Sequence, residues 1–227
     1  MRNQGSLVGI VLFVLASAIP APIALAGESV PSARLATAES FRLPVPFRTQ
    51  KDGSQYQGSN CGPAALAMIL AAYGMAQTND ELRFLTHTYQ GTVGRRGGTG
   101  LEHMATVGSD FGLETIGLYQ GTSYRRWSVE DIRAQVQAGN VVIPLIKYRL
   151  LPGNENSGVR FDHYVVIHGL DGDRFLYHDP AYQDAERGEA RWITTAQLDA
   201  AIAQTSIPRQ AVAFARGRHA QLPSLPV

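Results

Sequence analysis

Half-way along this chain the spacing of its apolar residues changes, and the change limits the folds open to it. Before residue 140 apolar side chains recur at helical intervals, as Leu66, Ile69, Leu70 and Tyr73 do on one face of a predicted helix over 61–73. After it, β-branched and aromatic runs follow one another at 141–148 (VVIPLIKY), 164–167 and 174–177, divided by turn residues. Trp192-Ile193 and residues 211–214 read as further strands, with a helix over 195–203 between them. Helices first and an antiparallel sheet second define an α+β domain, its N-terminal helices packed on a C-terminal sheet.

Local signals place the other elements. Pro63 suits the first turn of the 61–73 helix, Ser59 or Asn60 can cap its start, and Gly74 can close it. Thr78-Asn79-Asp80-Glu81 opens a second helix, residues 101–111 form a third, and Ser128 with Asp131 caps a fourth over 128–138. Residues 41–47 (FRLPVPF) are extended, because each proline keeps its predecessor out of the helical region. Residues 51–60 are a polar loop.

The first 26 residues read as a targeting segment: Arg2, an apolar run over 7–25, then Ala24-Leu25-Ala26. Pro20 and Pro22 interrupt the run, so no stable membrane anchor is expected. Cleavage after Ala26 would export the chain. The expected division is 1–26 signal peptide, 27–40 linker, 41–217 domain and 218–227 polar tail. The net charge of +1 falls to zero without Arg2, which gives no electrostatic case for nucleic acid.

Cys61 is the one cysteine, so no internal disulfide can form. A lone thiol is commonly a buried structural group. Its place at a helix start argues otherwise, because free N–H groups there favour the thiolate and can hold an oxyanion. Gly62 would let a substrate carbonyl approach the backbone.

A nucleophilic thiol needs a base, and the base needs an orienting partner. With a tight turn centred near residue 171, His163 and Asp179 lie equally far along the two arms of a hairpin. That makes them cross-strand neighbours on one face. By the same register His168 faces Arg174, and His168 and His178 read as structural. His87 and His103 fall on predicted helices without an acid partner at helical spacing, and His219 lies in the tail.

Strand alternation scatters Asp162, His163, His168, His178 and Asp179 over two faces, against a metal site. The glycine-rich stretch 91–100 (GTVGRRGGTG) lacks the lysine and the strand-loop-helix setting of a phosphate cradle. No cofactor is expected.

Two runs carry a family likeness: Val45-Pro46-Phe47-Arg48-Thr49-Gln50, then Ser59-Asn60-Cys61-Gly62-Pro63-Ala64-Ala65-Leu66-Ala67-Met68. A third stretch joins them, Asp162-His163-Tyr164-Val165-Val166-Ile167-His168-Gly169 with Tyr177-His178-Asp179-Pro180. Together they resemble the double-glycine leader peptidases and their stand-alone relatives, papain-like cysteine peptidases, from about Leu43 to Ala203. The resemblance implies the papain-like fold, a Cys61–His163–Asp179 triad, and a glutamine completing the oxyanion hole. Gln50 ends the first run as in the stand-alone relatives, eleven residues before Cys61. Gln55, six residues before it, has the papain-type spacing. Gln50 is favoured, with a loop insertion accounting for the longer interval.

The expected function is thiol-dependent hydrolysis of a peptide or protein substrate outside the cytoplasm. Two alternatives stand beside it. One keeps the triad for acyl transfer or cell-wall amide hydrolysis, and the other is a non-catalytic peptide-binding domain. Oligomeric state is not legible in the sequence.

Overall fold

The computed structural model describes residues 40–217. The expected leader, all but the last residue of the linker, and the tail with His219 lie outside them. Strand β1 (Phe41–Arg42) leads through an extended segment and the 50–60 loop into three helices. These are α1 (Cys61–Ala72), α2 (Asn79–Gln90) and α3 (Leu101–Asp110).

Gly74 closes α1 as expected, at φ 85°. Its N–H donates to Ala71 O and that of Met75 to Leu70 O, a paired closure that needs a left-handed residue. Asn60 stands at the N-cap of α1, but its side chain does not cap. The amide is committed instead to Asp52, Ser54 and Arg83. Helix α1 is buried all round from Gly62 to Leu70, not on one face alone, which makes it the central helix of its layer. Helix α2 starts with the expected reciprocal cap between Thr78 and Glu81.

Short strands β2 (Leu113–Ile116), β3 (Tyr119–Gln120) and β4 (Ser123–Tyr124) follow, none of them expected from the sequence. Then come α4 (Val129–Gln137), capped by Ser128 with Asp131, and β5 (Val141–Lys147). The remaining elements are β6 (Asp162–Tyr164), β7 (Val166–Asp171), β8 (Arg174–His178) and the single turn α5 (Ala185–Gly188). Strand β9 (Arg191–Thr194), α6 (Thr195–Ala203) and β10 (Ala211–Arg216) end the described chain.

The sheet runs β2-β10-β5-β7-β8-β9, with β6 also on β5 and β1 on β7, all antiparallel. Apolar clusters cover both of its faces. Val141, Ile143 and Leu145 of β5 pack with α1 and α3, while Val142 and Ile146 pack with α4 and α6. A strand buried on both sides needs no polar alternation, hence the continuous run VVIPLI. Gly169 lets β1 reach the sheet, for a Cβ there would lie 2.7 Å from Phe41 O.

The β7–β8 register differs from expectation. Asp171 pairs with Arg174 across Gly172 and Asp173, and an irregularity between Ile167 and Gly169 absorbs His168 and sets Val166 opposite His178. His168 therefore does not face Arg174. His163 has left this ladder altogether and pairs through β6 with Ile146 of β5. It is not the cross-strand partner of Asp179. The turn is the pair Gly172-Asp173 rather than one centred near 171, which displaces every cross-strand partner by three residues, and the bulge takes back one of them.

Candidate active site

Cys61 is the first residue of α1 and is partly exposed. No acidic side chain occupies the first turn, so the positive end of the helix is left for the thiol. Burial pushes the thiol pKa up. His163 and the N–H groups of Tyr164 and Gly62 outweigh that and hold it below its ordinary value. Gly62 does not present open backbone, since a Cβ there would meet Met104 Sδ at 2.9 Å and Thr99 Cβ at 3.1 Å. Its missing side chain serves the packing of α1.

His163 is brought in by β6, which the Lys147–Asp162 pair (2.6 Å) pins to the end of β5. Tyr148 meets the imidazole edge-on at 5.2 Å between centroids. Nε2–H donates to Asp179 Oδ1 at 2.7 Å, which leaves Nδ1 for the thiol. Burial alone would lower the imidazole pKa, but Asp179 and then Cys61 raise it to about 10. Each of Cys61 and His163 thus favours the charged form of the other.

Asp179 follows directly on β8 and is fully buried. Its Oδ1 also accepts Ala181 N–H at 2.9 Å, a local turn that fixes the carboxylate, while Oδ2 has no protein partner. The Asp179 N–H donates to Gly188 O. Gly188 is hemmed in, because a Cβ there would lie 2.6 Å from the Phe47 ring and 2.8 Å from Asp179 O. The expected partners therefore do meet, by convergence of a strand on β5 with the end of β8.

The two glutamines separate clearly. Gln50 is buried, and its N–H donates to Pro180 O at 2.8 Å, which ties it to the residue after Asp179. Its side-chain amide donates to Gln57 O at 2.9 Å, and Oε1 has no protein partner. Gln55 is exposed and lines a cavity of about 410 Å³ between the 54–56 turn, α2 and Val93-Gly94.

His168 and His178 are buried with ring centroids 4.0 Å apart. Their rings hold the entering segment through Leu43 O (3.0 Å) and Val45 O (2.8 Å). His87 bonds Thr92 and Thr99 across the glycine-rich loop, and His103 lies 3.5 Å from the carboxylate of Glu102. Among the described residues no group of three or more His, Cys, Asp or Glu side chains is arranged for a metal ion. Nor is any helix among them long and apolar enough to cross a membrane.

An α+β domain with a thiol, an imidazole and a buried carboxylate in sequence is the arrangement of papain-like cysteine peptidases. The model of the Peptidase_C39 like family matches residues 42–200, and the chain belongs to that family. No curated protein matches it. Among solved structures it is similar to a putative C39-like peptidase from Bacillus anthracis, at 19% identity and a TM-score of 0.51, covering 78% of this chain and 98% of that one. A double glycine motif protease from an AMS/PCAT transporter, solved with its leader peptide, gives 21%, 0.46, 76% and 92%. The peptidase domain of Streptococcus ComA gives 19%, 0.41, 70% and 90%. The first of these likenesses bears on the fold, which agrees with the papain-like architecture.

Proposed function

We propose that the chain is an exported peptidase that cleaves peptide bonds through Cys61, His163 and Asp179. The observation that carries this reading is the 2.7 Å His163–Asp179 hydrogen bond, which leaves the other ring nitrogen to a thiol whose pKa is lowered at a helix start. The Cys61 thiolate attacks the scissile carbonyl carbon, and the C=O electron pair moves to oxygen. As the oxyanion collapses, the C–N bond breaks and the His163 imidazolium gives its proton to the leaving amine. Water, deprotonated by His163, then attacks the thioester, releases the acid and restores the thiol pair. Asp179 keeps Nε2–H directed at itself and so holds the ring in place through both steps.

Gln50 is assigned to the oxyanion. One of its amide hydrogens is engaged by Gln57 O, which leaves the second to donate. Its burial and its tie to Pro180 support the choice over exposed Gln55. Export rests on the apolar N-terminal segment of the sequence.

Digestion of a diverse peptide library by residues 27–227, read by mass spectrometry, tests the reading. New termini from the wild type that are absent with Cys61→Ala are expected. Cleavage that persists in Cys61→Ala would overturn it.

A further inference from the structure

Arg83 is a charged residue that this mechanism does not use, and it is buried at 5% exposure. Among the described residues no carboxylate lies within ion-pair distance of it. Its Nη1 donates to Asn60 Oδ1 at 3.0 Å and Ser59 Oγ at 3.3 Å. Its Nη2 donates to Arg95 O at 2.6 Å and Gly97 O at 3.1 Å. The Tyr56 ring lies 4.2 Å from the guanidinium carbon. Burying an arginine without a neutralising acid is costly, so the fold gains something specific from it.

Two features of the site meet at this fork. Asn60 precedes Cys61, and with Oδ1 on Arg83 and Nδ2 on Asp52 (2.9 Å) it is held at both ends. The carbonyls of Arg95 and Gly97 belong to the glycine-rich stretch, which has little side-chain packing of its own. Burial pushes the guanidinium pKa down, and the negative forms of Tyr56, Asp80, Cys61 and Asp52 partly offset it. The guanidinium is hydrogen-bonded to the side chain of the residue joined directly to Cys61, which brings the cation near the helix start that carries the thiol.

We infer that Arg83 is a positioning residue that clamps the glycine-rich segment to the start of the nucleophile helix and places a fixed positive charge beside Asn60, the residue that precedes Cys61. This rests on the reading of Cys61 as the nucleophile. A lysine would keep the charge but cannot bridge four acceptors with a rigid fork. A methionine would keep the apolar stem and lose both.

The two functions have separate readouts. Trypsin cuts after arginine, so cleavage after Arg95 reports directly on the carbonyl that Arg83 holds. Arg83→Lys is expected to speed that cut about tenfold or more, with the Cys61 iodoacetamide pH profile close to wild type. Arg83→Met is expected to move the profile upward, cutting alkylation at acidic pH about tenfold for each pH unit moved. Wild-type trypsin resistance in Arg83→Lys, or a wild-type profile in Arg83→Met, overturns the inference. Should Arg83→Met not fold, the Arg83→Lys digestion decides it alone. If the wild-type thiol itself titrates in the ordinary range, the Cys61 reading fails; if it is low and indifferent to Arg83→Met, only Arg83's role falls.

Discussion

Replacing Asp179 by asparagine separates the two things its carboxylate does for His163. Oδ1 accepts both His163 Nε2–H at 2.7 Å and Ala181 N–H at 2.9 Å, so the asparagine carbonyl must take that place. The NH₂ then falls where Oδ2 now lies, buried and without a partner. The imidazole keeps its orientation but loses the adjacent negative charge. His163 stands at about 10, with Asp179 the foremost of the groups that raise it against burial. Removing an opposite charge at hydrogen-bond distance lowers such a pKa by about one to three pH units, or about 1–4 kcal/mol of preference for imidazolium. An orphaned NH₂ adds a stability cost of about 1–3 kcal/mol. The assay is an NMR pH titration of the His163 ring in wild type and Asp179→Asn, which needs no substrate. A fall in that range is expected. A ring that titrates at the same pH in both proteins would refute the assignment of Asp179 as the group holding the charge.

Other outcomes follow from the same geometry. Gln50→Ala should lower kcat by about 10²–10³ with a smaller change in KM, as for loss of one oxyanion donor. Gln55→Ala should stay within about twofold, as an exposed substitution does. Gly188→Ala forces a methyl into the Phe47 ring and Asp179 O, and should cost about 1–3 kcal/mol in a urea melt. Burial and the neighbouring His178 hold His168 down at about 3, so it is neutral in the fold while the unfolded chain takes up a proton below 6.5. Stability should therefore fall as pH drops below 6.5, by about 1.4 kcal/mol per pH unit from His168 alone. His87 and His178, also lowered by burial, act in the same direction. Urea midpoints that rise between pH 6 and pH 5 would contradict this.

Much of the frame was legible because its signals are local. Thr78 with Glu81 and Ser128 with Asp131 announce their helices, and the double-sided burial of β5 is written in its unbroken apolar run. The sequence singles out Cys61, His163 and Asp179, and the structure brings the three side chains together, but not by the hairpin register expected of them. The hairpin turns at Gly172-Asp173 and not near 171, the bulge at His168 recovers one residue of the three-residue shift, and His163 reaches Asp179 from a strand paired with β5. Strand β2 was missed because four residues, LETI, carry too short a pattern, and its pairing with β10 is a long-range choice. The cluster of buried Arg83 and Asn60 with exposed Asp52 leaves no periodic trace, since it joins a loop, a cap and a helix by side-chain hydrogen bonds alone.

The central claim is that His163 makes Cys61 a nucleophile, and the pH dependence of Cys61 alkylation by iodoacetamide in wild type and His163→Ala tests it most directly. The wild-type rate should turn on below the ordinary thiol range and move up towards it in His163→Ala. A wild-type thiol that titrates in its ordinary range, unmoved by loss of the imidazole, would contradict the account.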